Sequence, residues 1–308
     1  MDARLLFLGN CFKREPSMTP TQAVPPKSRG ALKAVSRGIQ TVDTLPQIVL
    51  RIMQVANDEK CGARDLKEAM ECDPALSSRV LKLVNSSAYA TRTKITNLQQ
   101  AIAYLGIRQI RNLAVTASAS KLFSSDEKIG SYTRTGLWKH LVSVGICARL
   151  LAMRLNLRDF EDIFLAGLLH DIGIVLADQH MHDPFCAAMN SLSEGEPLCA
   201  VERAQLGFDH TQLAEAVAET WGFPPGVTAA ARYHHDTVSY RGESVTTIRC
   251  VEVANVICSL KGVTSVGMNL VRFPASTISA LALTKDDIIV LAEDFDQEVV
   301  TNQSLFQI

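Results

Sequence analysis

Apolar residues recur along this chain at spacings of three and four, the period of a helix with one face in a core. Ile48, Ile52 and Val55 make the first such stripe. Leu66 with Met70 and then Leu76, Val80, Leu83 and Val84 make the next two. Leu98, Ala101, Ile102 and Leu105 follow, then Ile107, Ile110, Ala114 and Ala117. A longer stripe, Leu141, Val144, Ala148, Leu151 and Leu155, predicts a helix over about 137–155, and another helix is expected over about 159–169. Leu213, Val217 and Trp221 share a face, as do Val227, Ala231 and His234, and Ile248, Val251, Asn255 and Cys258. A last helix is expected over about 285–299, with Asp286 and Asp287 in the first turn to suit its dipole.

Boundary residues agree with the stripes. Thr44 with Pro46, Asp73 with Pro74, Thr96 or Asn97, and Asp209 read as helix starts. Gly106 and Gly222 read as stops. The β-branched patch Val245–Ile248 continues into helical spacing, and no series of alternating strands with hairpin turns is found. The fold class predicted is all-α. The proline-punctuated residues 1–30 read as a disordered tail, with a globular start at Ala31–Gly38. The polar run Ser124–Ser131 is the best internal boundary.

Composition narrows the function. At 308 residues and 47% apolar the chain can bury a large core, and a net charge of −1 weighs against a dedicated nucleic-acid surface. The eight cysteines include no CxxC pair and read as small hydrophobes in a reducing compartment. No apolar run is long enough to cross a bilayer, and the apolar stretch at the start is too short for a signal peptide. A soluble, cytoplasmic protein is expected.

The chemistry gathers around Leu168-Leu169-His170-Asp171-Ile172-Gly173. A carboxylate at the end of a core helix is strongly destabilising unless something holds it. Either the pair faces a cavity that binds a ligand, or a structural hydrogen-bond network satisfies it. His140, His210, His234 and His235 also sit on or beside apolar faces, whereas His180 and His182 lie in a polar stretch and read as surface residues. A single inward histidine is more often a hydrogen-bonded core residue than a ligand. Five with an adjacent aspartate are the pattern by which helical proteins build metal sites, and their donors suit iron, manganese or zinc better than calcium. In the first half Arg79, Lys82, Arg108 and Arg111 read as residues of solvated outer faces.

The order His140, His170-Asp171, His210, His234-His235 resembles the HD superfamily of metal-dependent phosphohydrolases, and more closely its HDOD branch (HD-related output domain). The resemblance is carried by Leu45-Pro46, Asp73-Pro74-Ala75-Leu76, Leu83-Val84-Asn85-Ser86 and Ala101–Gly106 in the first half. In the second half it is carried by Ala166–Gly173, Leu206–His210 and Trp221-Gly222-Phe223-Pro224. It implies an HDOD domain over 41–238, with a helical N-terminal half to about 124 and an HD-like half from about 134, completed by C-terminal helices over 239–308. It also implies one or two divalent metals that activate water against a phosphate ester, held by His140, His170, Asp171, His210, His234, His235 and, at the position of a late ligating aspartate, Asn255.

Three departures from the active relatives matter. Asn255 keeps an oxygen but has no charge. Ile174 stands where cyclic di-GMP phosphodiesterases carry a lysine, and no Gly-Tyr-Pro follows His234-His235. Two readings stay open: a regulatory signal-transduction output module that acts on a protein partner, or a metal-dependent phosphohydrolase of a nucleotide or cyclic dinucleotide; an intermediate, in which metal is bound only for structure or sensing, fits both sets of residues. The departures favour the module. No catalytic residue is assigned on this reading.

Overall fold

The computed structural model describes residues 26–41, 47–58, 60–89, 91–125, 127–193, 195–268 and 275–307. The fold is all-α, with one two-stranded sheet of two residues per strand among the described residues. The expected helix start at Thr44-Leu45-Pro46 lies outside the described residues, as do residues 1–25 of the expected tail. Helix α1, Pro26–Thr41, begins inside the stretch read as tail. It packs against helices of the second half of the chain.

The first half contains α2 (Gln47–Asn57), α3 (Ala63–Glu71), α4 (Pro74–Val84), α5 (Leu98–Leu105) and α6 (Ile107–Ala119). The starts of α4 and α5 are fixed by side chains that satisfy backbone N–H groups left open at a helix N-terminus. Asp73 accepts from the Leu76 N–H and Asn97 from the Gln100 N–H, both at 2.9 Å. Of the two caps the sequence offered for α5, Asn97 is the one used. Asn85 closes the connection from α4 to α5: its amide accepts from the Ile95 N–H at 2.8 Å and donates to the carbonyls of Leu81 and Ile95.

Arg111 corrects the sequence reading. It is 1% exposed, not on a solvated face. Its guanidinium donates to Asp162 at 2.7 Å, to Asn57 at 3.0 Å and to Asn112. Asn112 in turn donates to the backbone and side chain of Glu161. The two halves are therefore joined by buried polar contacts at the start of α8 (Phe160–Leu169). Of the other three cations, Lys82 and Arg108 are exposed and Arg79 is half-buried.

The expected polar boundary runs into a hairpin, β1 (Lys128–Ile129) within it paired antiparallel with β2 (Tyr132–Thr133) just beyond it. Gly130 turns it at φ +60°. A Cβ there would also stand 2.9 Å from the Met189 carbonyl oxygen. The second half then runs α7 (Arg134–Arg154), α8, α9 (Ile172–His180), α10 (His182–Ser191), α11 (Leu198–Leu206), α12 (His210–Trp221), α13 (Pro225–Tyr233), α14 (Val245–Leu260), α15 (Ala275–Ala280) and α16 (Lys285–Thr301). Helix α7 is long and apolar enough to cross a membrane by those two measures alone, contrary to the sequence reading. However, 72% of its apolar window is buried within the fold. His180 and His182 belong to helices; His182 is exposed and His180 half-buried.

Helix α8 is the centre of this half, packed by α7, α13, α14 and α6, and buried from Ile163 through Leu169. Its crossing with α7 depends on two glycines. A Cβ on Gly167 would lie 2.9 Å from the Gly145 Cα and from the Val144 carbonyl oxygen. Side chains there would push the helices apart, and with them His140 and His170. Cys147, Cys250 and Cys258 are buried as expected, Cys61, Cys186 and Cys199 half-buried and Cys72 exposed. Cys11 lies outside the described residues.

Candidate metal centre

Asp171 sits in the two-residue break between α8 and α9, where the backbone leaves one helix before the next begins. Four imidazoles surround its carboxylate. His170 Nε2 lies 3.3 Å and His140 Nε2 3.7 Å from Oδ2. His234 Nε2 lies 3.1 Å and His210 Nε2 3.3 Å from Oδ1. All five residues are at most 1% exposed. His235 is exposed at the edge of the group, its ring 4.0 Å from that of His234, and one of its ring nitrogens lies with the donors of Asp171, His210 and His234.

Local sequence places each ring. His140 projects from the middle of α7, and His170 closes α8. His210 is the first residue of α12, set by a capping box in which Asp209 accepts the Gln212 N–H at 3.0 Å and Gln212 accepts the Asp209 N–H. Arg203 and Thr211 hold the Asp209 carboxylate from its other sides. Gly173 lets the start of α12 approach α9 closely, because a Cβ there would fall 2.0 Å from the His210 carbonyl oxygen. His234 ends α13.

The outer ring nitrogens fix the tautomers. His140 Nδ1 donates to the Val263 carbonyl at 2.9 Å, His170 Nδ1 to Gly167 at 2.8 Å, and His234 Nδ1 to Ala230 at 3.0 Å. A neutral imidazole that donates through Nδ1 presents a lone pair at Nε2. Burial pulls His140 down to about 4 and also lowers His234, so both are neutral near pH 7. Burial works against the Asp171 carboxylate, but the surrounding imidazoles, His170 foremost, outweigh it and hold its pKa well below the usual range.

Lone pairs and a carboxylate therefore face one another in a buried space. The Nε2 atoms of His140, His170, His210 and His234 and Oδ1 of Asp171 are buried without a hydrogen-bond partner. Such a set of unpaired polar atoms, most of them acceptors, is expensive unless a cation lies among them. The donors fall into two groups that share Asp171: His140 with His170, and His210 with His234 and His235. Nitrogen-rich sets of this kind fit a divalent transition metal.

Glu202, on α11, was not singled out from the sequence. It is fully buried, and its Oε2 accepts from His210 Nδ1 at 2.6 Å and from the His210 N–H at 3.0 Å. The signal was present: Leu198, Glu202 and Leu206 recur every four residues, so a carboxylate stands on an apolar stripe. Burial lowers the His210 pKa, but Glu202 reverses that effect and raises it well above the ordinary value. Asn255 is buried on α14; its described polar contact is with the Ser259 hydroxyl, not with Asp171. Ile174 is fully buried in the first turn of α9.

The HDOD domain family model matches residues 42–237, and the chain belongs to that family. An HDOD domain protein of Geobacter sulfurreducens has a similar structure, with a TM-score of 0.72 and 24% identity, over 90% of this chain and 97% of that one. A Marinobacter aquaeolei VT8 chain, provisionally named a signal transduction protein, matches at a TM-score of 0.69 and 23% identity over 98% of this chain and 64% of its own. A Shewanella amazonensis SB2B chain, provisionally named a phosphohydrolase, matches at 0.65 and 20% over 89% and 97%. These likenesses are likenesses of fold. An uncharacterized protein of Treponema pallidum (strain Nichols) is 23% identical over 225 residues, 72% of this chain; the chain spans 43% of that relative's length.

Proposed function

We propose that this chain is a regulatory signal-transduction module of the HDOD type, with a metal site of HD ancestry that holds its ion for structure or sensing. The observation that carries this reading is the enclosure of the cluster. Asp171, His140, His170, His210 and His234 are each at most 1% exposed, and only His235 reaches solvent. Catalytic metal sites keep a position that substrate can reach, and donors buried this deeply offer little such access. The buried Ile174 and the uncharged Asn255 support it further, since neither offers charge to a phosphate or a metal. The output would pass through helix packing to a protein partner in a signalling pathway.

A second reading, a metal-dependent phosphohydrolase of a nucleotide or cyclic dinucleotide, is favoured by one observation. Each oxygen of Asp171 faces its own pair of histidines, which suits two ions sharing one carboxylate. His140, His170, His210, His234 and Asp171 would hold the metal in either case, with His235 at the open edge. When bound, such ions would polarise a phosphate ester and its attacking water.

Elemental analysis of protein purified without chelator, together with turnover of bis(p-nitrophenyl) phosphate and cyclic di-GMP, separates the readings. Bound transition metal without turnover supports the module. Metal-dependent turnover that is abolished in His170→Ala and Asp171→Ala supports the hydrolase. Protein that neither contains nor takes up metal overturns the metal site in both.

A further inference from the structure

The two ends of Asp171 are not equivalent, and the difference originates at Glu202. On the Oδ2 side stand His140 and His170, whose outer nitrogens donate to neutral backbone carbonyls. On the Oδ1 side stand His210, His234 and His235. His210 alone among the five donates its outer proton to a carboxylate, and that carboxylate is itself fully buried. A carboxylate behind a ligating imidazole raises its basicity and fixes its orientation, typically worth 10–100-fold in metal affinity. Glu202 also brings a second buried carboxyl group within one ring's width of the site. An ion on the Oδ1 side would then meet more nitrogen donors, one of them oriented by that carboxyl group, than one on the Oδ2 side.

The geometry points to Glu202 as the positioning residue that makes the Oδ1 side of Asp171 the high-affinity position for a divalent transition metal, filled before the His140–His170 side. This rests on the metal-binding reading above. It assigns an order of filling to the two sides and gives a role to a residue outside the His-Asp series.

The full-length protein, stripped of metal, would be titrated with Zn²⁺ against a chromophoric chelator and with Co²⁺ followed by its visible absorption. Circular dichroism would confirm the fold of each variant. In Glu202→Gln the first equivalent should weaken 10- to 100-fold, with a changed Co²⁺ spectrum. In His140→Gln the first equivalent should keep its affinity and spectrum. An unaltered first equivalent in Glu202→Gln, or its loss in His140→Gln, overturns the assignment while leaving metal binding intact. No uptake by the unmodified protein overturns the metal reading itself. If Glu202→Gln does not fold, Glu202→Asp replaces it, with a smaller loss of the same first equivalent expected; no loss overturns the assignment.

Discussion

Gly173 and His210 touch backbone to backbone: a methyl group on residue 173 would lie 2.0 Å from the carbonyl oxygen of His210. No rotamer change can relieve that overlap, since the obstructing atom belongs to the first residue of α12. Gly173→Ala should therefore shift α12 and His210 with it. Overpacking of this kind costs ~1–3 kcal/mol, which chemical denaturation would register. Metal uptake should fall as well, because His210 moves relative to Asp171. A variant with wild-type stability and wild-type metal content would show that the approach is looser than described.

The buried Arg111 guanidinium gives a second prediction, with an asymmetry in it. Asp162→Ala leaves a positive charge in the interior with only amide oxygens and the more distant Glu161 around it, whereas Arg111→Met removes that charge and keeps the volume. Removing one partner of a buried pair costs ~3–5 kcal/mol, and replacing the charge by an apolar group far less. Asp162 is 26% exposed, which moves the expectation to the low end, about 3 kcal/mol. Urea midpoints should rank wild type, then Arg111→Met, then Asp162→Ala. The reverse order would show that the network holds the two halves by geometry more than by charge.

Acid should destabilise the metal-free protein in a window set by His140. Its folded pKa of about 4 is below the ordinary 6.5, so the unfolded chain takes up this proton first. The stability it contributes is complete above pH 6.5, falls as pH drops towards 4, and changes no further below that. The span amounts to ~3 kcal/mol. Asp171, also depressed, adds a loss at still lower pH, whereas the raised His210 works in the opposite sense, its contribution fading as pH rises. Comparing wild type with His140→Gln isolates the first effect: the variant should show a shallower stability slope between pH 6.5 and 4. Parallel slopes would mean that His140 titrates normally.

Metal should stabilise the fold by mass action. At a free concentration one hundred times Kd the gain is ~2.7 kcal/mol, on the order of 5 °C in melting temperature for a chain of this size. Zn²⁺ or Mn²⁺ added to stripped protein should produce that rise, chelator should reverse it, and His234→Ala should abolish it. A melting temperature indifferent to all three additions would exclude an ion from the cluster.

Much of this was legible in the sequence because it rests on local rules. Asp73, Asn97 and Asp209 cap as their types suggest, and the apolar stripes lie inward. The convergence of five histidines on Asp171 was legible only through the ordered resemblance to HDOD proteins, since spacing along one helix says nothing about where another will lie. Arg111 was misread because a cation between apolar positions ordinarily marks a solvated face; its burial is decided by Asp162, 51 residues away. Helices α9 to α11 were not anticipated, and Glu202 was passed over along with them. The hairpin was missed because two residues per strand are too few for an alternation to show. Helix α1 begins at Pro26, among prolines that argue for a tail, and its described packing is against α9 and α12.

The contact between His140 and Val263 sets where this protein can be cut. The family match ends at residue 237, yet the carbonyl that orients the His140 ring comes from just beyond α14, the helix that packs along α7. A fragment stopping at the family boundary would strip one long face of α7 bare and leave that imidazole free to rotate. It should aggregate, or fold without a competent pocket, so the smallest autonomous unit extends at least through Val263.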